Sequence, residues 1–129
     1  MVTRYHLDTD FLIHALSRRG AERSRLRALL ELGAEVEMLA LAWYELERGP
    51  RTPEQLAVGR AFLSPDGVLP FDEKRATKAA ELYRSVTGSR RRGVDIALAA
   101  CAIERDAVLL TGNARDYEGI EGLSVDQPR

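Results

Sequence analysis

The chain has 129 residues and a formal net charge of −1, although 30% of its residues are charged. That length suits one ordinary domain, residues 1–129, with a core of its own, and the charge balance excludes a protein that holds nucleic acid by bulk positive charge alone. One cysteine, Cys101, excludes an internal disulfide framework, and with two histidines, His6 and His14, a structural zinc site is not expected.

Residues 5–7 read as a first strand, followed by a helix over 10–16 with Phe11, Leu12, Ala15 and Leu16 on its apolar side. A second helix is expected over 21–32, from the spacing of Leu26, Leu29 and Leu30. Residues 36–41 form the next strand, which leads into a helix through Tyr44 and Leu46 that Gly49 and Pro50 end. Thr52 and Pro53 supply an N-cap and a first position for a helix over 53–63. The turn residues Ser64 to Gly67 precede a short strand over 68–71, where Pro70 implies an edge or strand end.

Asp72 is expected to cap a helix carrying Ala76, Ala79, Ala80, Leu82 and Tyr83, and residues 87–92 form a polar loop. Residues 94–103 are apolar almost all round, the mark of a buried helix. A strand over 107–110, a helical turn over 114–117 and a last strand over 123–125 complete the chain. Strands alternating with helices imply an α/β domain with a mainly parallel sheet. No apolar run approaches the roughly 20 residues that span a bilayer, and no signal-peptide core is evident. A cytoplasmic protein without a membrane segment is therefore expected.

In an open parallel sheet, ligands bind at the carboxyl ends of the strands. Asp8 follows the first strand, Glu45 lies one helical turn beyond the second, and Asp116 comes shortly after the strand at 107–110. Strand direction puts these three on one rim. Asp95 starts the buried helix, and periodicity alone does not place it there. Each acid has a plain structural explanation: Asp8 or Asp10 as a helix cap, Asp95 beside a helix dipole, Glu45 on a surface, Asp116 in a loop. Yet Asp8 and Asp95 sit among apolar residues, where a carboxylate is costly to desolvate without a cation. Converging carboxylates with no lysine beside them call for a hard divalent ion bound through oxygen.

Four segments carry a family resemblance: Leu7 to Ile13, Glu45 to Gly49, Asp95 with the Ile96 to Ala100 run, and Leu110 to Tyr117. In order and spacing they resemble the PIN-domain nucleases, and in particular the VapC-type toxins of bacterial toxin–antitoxin pairs. The resemblance implies a three-layer α/β/α sandwich with four to five strands. It implies that Asp8, Glu45, Asp95 and Asp116 hold one or two Mg²⁺ or Mn²⁺ ions for hydrolysis of RNA. Asp8 and Asp95 are then the expected direct ligands, with Glu45 and Asp116 acting through water or a second ion. It also implies an antitoxin partner and a homodimer.

Around these acids the supporting residues have double readings. Glu47 lies two positions from Glu45 and faces elsewhere on the helix, so the motif spacing selects Glu45. Thr9 and Thr111 either hydrogen-bond a carboxylate or water, or satisfy local backbone. Asp10, where the family more often has Asn, either adds charge to the site or caps the helix, with the cap preferred. Asn113 stands where many relatives carry an acid, which weakens a second metal site. Arg90, Arg91 and Arg92 form either a solvated loop or a phosphate clamp, and Arg18 and Arg19 are a weaker version of the same idea. Trp43 and Tyr44 belong to the core or stack a base. Haloacid-dehalogenase-like phosphatases and receiver modules are excluded, because both need a lysine downstream and the only lysines are Lys74 and Lys78. The non-enzyme alternative is a PIN-like RNA- or protein-binding module without cleavage.

Overall fold

The computed structural model describes residues 2–17 and 20–128, so Arg18 and Arg19 lie outside the described residues. Five strands, β1 (Arg4–Leu7), β2 (Glu35–Leu39), β3 (Val68–Leu69), β4 (Val108–Leu110) and β5 (Ser124–Asp126), form one sheet in the order β3-β2-β1-β4-β5. Every pairing is parallel. Among the described residues, six helices connect them: α1 (Thr9–Leu16), α2 (Ala21–Glu31), α3 (Ala40–Glu47), α4 (Pro53–Phe62), α5 (Glu73–Ser85) and α6 (Gly93–Glu104). A 3₁₀ turn, Ala114–Tyr117, follows β4. The sheet is thus wholly parallel, with β3 and β5 at its edges. Among the described residues, no helix is long and apolar enough to cross a membrane.

Local chemistry sets the ends of these elements. Thr52 and Gln55 form a reciprocal capping box at the start of α4, with Pro53 inside it, and Asp72 accepts from the Arg75 amide to cap α5. β3 stops at Leu69, shorter than expected, because Pro70 has no amide to donate. β2 also ends early, at Leu39, and α3 starts directly at Ala40. The turn before β3 needs Gly67: an added Cβ would lie 2.7 Å from the Ser64 carbonyl and 2.9 Å from that of Val36. Its own carbonyl accepts from the Met38 amide at 2.7 Å, which fixes the β2–β3 register.

Successive residues of β4 report on the layers. Leu109 and Leu110 are both fully buried yet join separate apolar clusters, as befits a strand covered on both faces. Helix α6 buries Ile96, Ala97, Leu98, Ala99, Cys101 and Ala102, while Val94 and Ile103 near its ends reach solvent. A buried polar network crosses the sheet beside this core: His6 Nε2 lies 2.9 Å from Glu37 Oε1, and Arg105 donates to both Glu37 oxygens.

The direction of α6 follows from its end. Arg105, its C-cap, offers its carbonyl to Arg4 Nη1 at the start of β1 (3.4 Å). The helix therefore ends at the amino edge of the sheet and begins at the carboxyl edge. Asp95, in its first turn, is carried to the same rim as the ends of β1 and β4.

Candidate active site

Strand register builds the centre of the site. Leu7 pairs with Leu110, so the next residues, Asp8 and Thr111, are neighbours on the rim. The Asp8 amide extends the ladder to the Leu110 carbonyl, and Thr111 Oγ1 donates to Asp8 Oδ2 at 2.6 Å. Asp8 is also the N-cap of α1, its Oδ1 accepting from the Phe11 amide at 2.8 Å. The cap expected of Asp10 thus belongs to Asp8, because an extended residue just before the first helical turn is needed and Asp10 lies inside that turn. Asp10 is exposed and lines the cavity instead.

Thr9 Oγ1 lies within hydrogen-bond reach of the Ala42 carbonyl at 3.2 Å and Glu45 Oε1 at 3.0 Å. It ties the first turn of α1 to α3 and fixes the Glu45 carboxylate. Glu47, exposed, is not among the cavity residues. Asp116 sits in the 3₁₀ turn, where Asn113 Nδ2 donates to its Oδ1 at 3.1 Å. The Asn113 amide in turn donates to Thr111 Oγ1. Asp8, Glu45, Asp95 and Asp116, with Thr9, Asp10, Ile13, Arg48 and Leu98, line one cavity of about 250 Å³.

Of the three arginines before Asp95, Arg92 turns inward. Its guanidinium donates to the Asp116 carbonyl at 2.9 and 3.3 Å and to that of Glu118 at 2.9 Å. This braces the 3₁₀ turn against the start of α6, while Arg90 and Arg91 remain exposed. Trp43 packs against the core and Tyr44 faces solvent. Two residues escaped the sequence reading. Tyr117, buried, donates its phenol to Asp8 Oδ2 at 3.3 Å. Arg48 reaches the cavity beside Glu45. Tyr117 had a signal in its place next to Asp116, and Arg48 in its place one turn after Tyr44.

The electrostatics are those of crowded negative charge. Burial pushes the Asp8 carboxyl above its usual range, against the lowering pull of the Thr111 and Phe11 hydrogen bonds. Burial also raises Asp95, and the charges of Asp116, Asp8 and Glu45 carry it further, to about 6. The Tyr117 phenol is driven far above its normal value by burial and by Asp8 and Asp95, so it stays a donor.

This donor set is all oxygen and its charges repel one another, which suits a hard divalent cation. The acids share a cavity without closing on a point: among the described residues, no group of three His, Cys, Asp or Glu side chains is already placed to hold an ion. Mg²⁺ keeps several of its waters and needs only one or two direct carboxylates, so such spacing is compatible with it.

Fold and site define a parallel α/β protein with a carboxylate-lined cavity at the carboxyl edge of its sheet. The PIN domain profile matches residues 5–120, and the chain belongs to the PIN domain family. Among curated proteins, none matches the sequence. Among solved structures, the chain is similar to one in VapBC2 from Rickettsia felis, bound to a promoter DNA fragment. The two share 17% identity with a TM-score of 0.76, over 98% of this chain and 100% of that one. A chain of DNA-bound VapBC from Salmonella typhimurium shares 27% identity at a TM-score of 0.67, over 98% of each chain. One in FitAcB from Neisseria gonorrhoeae shares 21% at 0.72, over 96% of this chain and 97% of that one.

Proposed function

We propose that this protein is a divalent-metal-dependent endoribonuclease and the toxin of a toxin–antitoxin pair. The observation that carries the reading is the gathering of Asp8, Glu45, Asp95 and Asp116, from four distant parts of the chain, around one cavity. Membership of a family typically made of nucleases supports the reaction class. Likeness to chains of VapBC complexes, and to one in a toxin–antitoxin complex from Klebsiella pneumoniae, supports the biological role.

Asp8 and Asp95 would hold Mg²⁺ or Mn²⁺ directly, with Glu45 and Asp116 acting through water or on a second ion. When bound, the ion makes hydroxide available near neutral pH and offsets charge on the attacking and leaving oxygens of the phosphodiester. The protein's share is orientation. Thr111 and Tyr117 hold Asp8 Oδ2, the Phe11 amide holds Oδ1, Thr9 steadies Glu45, and Asn113 and Arg92 position Asp116.

The toxin role implies an antitoxin that covers the acidic cavity with a basic or apolar segment, and a homodimer of this chain. Expression alone should arrest growth, and co-expression of a neighbouring antitoxin gene should relieve it. Asp8→Asn or Asp95→Asn should abolish both the arrest and RNA cleavage. Growth arrest by folded Asp95→Asn protein would remove the acid cavity from the account.

A further inference from the structure

We propose that Tyr44 and Arg48 form a seat for one unpaired nucleotide beside the carboxylate cavity, so that the RNA is held there as a single strand; this rests on the nuclease reading above. Tyr44 and Arg48 lie four residues apart on α3 and share a face. The Arg48 guanidinium carbon sits 5.3 Å from the centroid of the Tyr44 ring. Tyr44 is 59% exposed, whereas its neighbour Trp43 packs against the core. An aromatic ring left in water with a guanidinium on it is the surface on which unpaired bases stack.

Charge gives the second argument. The cavity is lined by Asp8, Asp10, Glu45, Asp95 and Asp116, and Arg48 is its one basic residue among the described residues. Five carboxylates outnumber the charge of one divalent ion, so a polyanion still meets net negative charge there, and a cation at the rim favours the approach of a phosphate. The ion pair of Arg48 with Glu45 is long, 3.6 Å, and the Arg48 side chain is 58% exposed. Such a pair contributes little to stability, and it leaves the guanidinium able to turn to a phosphate oxygen. Arg92 cannot serve, being spent on the Asp116 and Glu118 carbonyls. Inside a duplex the base faces are covered by their neighbours, so away from its ends only an unpaired nucleotide can stack on the Tyr44 ring.

The test uses the full chain and a labelled oligoribonucleotide, single-stranded or annealed to its complement. Binding is read by fluorescence anisotropy in EDTA, and cleavage by steady-state kinetics in Mg²⁺. Arg48→Gln and Tyr44→Ala should each weaken single-strand binding about tenfold, a loss that appears in KM rather than kcat. Arg48→Gln should lower the salt dependence of binding by about one ion, and Arg48→Lys should restore that slope. Tyr44→Phe, which keeps the ring, should bind as the wild type does, and the duplex should bind worse than the single strand. Wild-type KM and affinity in folded Arg48→Gln and Tyr44→Ala, or equal binding of the duplex, would overturn the seat. Cleavage by the wild type with KM unmoved in the variants sinks the seat and keeps the nuclease. No cleavage by the wild type, with binding still lost in the variants, sinks the nuclease and keeps the seat.

Discussion

Thr111 donates its hydroxyl to Asp8 across 2.6 Å, and the two meet because β1 and β4 are paired so that Leu7 faces Leu110. A short bond to an ionised acceptor is among the stronger hydrogen bonds. Here it also passes on order, since Thr111 Oγ1 accepts from the Asn113 amide and Asn113 holds Asp116. One buried hydroxyl therefore links two of the four acids.

Thr111→Val keeps the shape and removes this link. With Thr111 fully buried, the change takes the acceptor from the Asn113 amide and one of two donors from Asp8 Oδ2, which keeps only Tyr117. Stability should fall by about 1–3 kcal/mol in chemical denaturation. RNA cleavage should fall more steeply than in Thr111→Ser, which keeps the hydroxyl.

Crowded acids predict a stability response to metal. Mg²⁺ or Mn²⁺ at millimolar concentration should raise the thermal midpoint, since cation binding relieves repulsion in the folded state only. Asp95→Asn removes a carboxylate that burial, and then the charges of Asp116, Asp8 and Glu45, all disfavour, so the metal-free variant should melt above the metal-free wild type. Its gain from added metal should be smaller. Scanning calorimetry in EDTA and in Mg²⁺ reads both effects.

Glu37 predicts the acid limit of the fold. Burial opposes its charge, but the hydrogen bonds from His6 and Arg105 outweigh burial and hold the carboxyl at about 2. A carboxyl lowered in the folded state stabilises above its unfolded value, near 4.5, and the benefit fades as pH falls toward 2. The contribution at neutral pH is on the order of 3 kcal/mol. Glu37→Gln should lose stability at pH 7 and flatten the decline between pH 5 and pH 2. Urea titrations across that range measure the slope.

Arg92 braces the turn that carries Asp116. Arg92→Gln should speed amide exchange over 114–118 and reduce cleavage. RNA affinity in EDTA should hardly change, whereas a phosphate clamp at Arg92 would show lost affinity.

Most of the fold was legible because period and caps agree. The apolar run of α6, the Thr52–Pro53 start of α4 and the Asp72 cap of α5 each announce an element locally. What was hidden depends on chain direction or long-range contact. Asp95 has no local sign of its place, yet a helix that feeds a parallel strand must begin at the carboxyl edge, and α6 does. Tyr117 reaches Asp8 over 109 residues of sequence, a pairing no local pattern encodes. Trp43 and Tyr44 are adjacent aromatics with opposite fates, set by which face of α3 meets the core. Arg92 reads as one of three like charges until its carbonyl partners are known.

A cleavage time course decides whether the acid cavity cleaves RNA with a divalent ion. Purified protein is incubated with single-stranded and structured RNAs in Mg²⁺, in Mn²⁺ and in EDTA, beside Asp95→Asn. The wild type should cleave internally with either metal and not in EDTA, and the variant should not cleave at all. Cleavage that persists in EDTA or in folded Asp95→Asn, or its absence on every RNA with both metals, would contradict it.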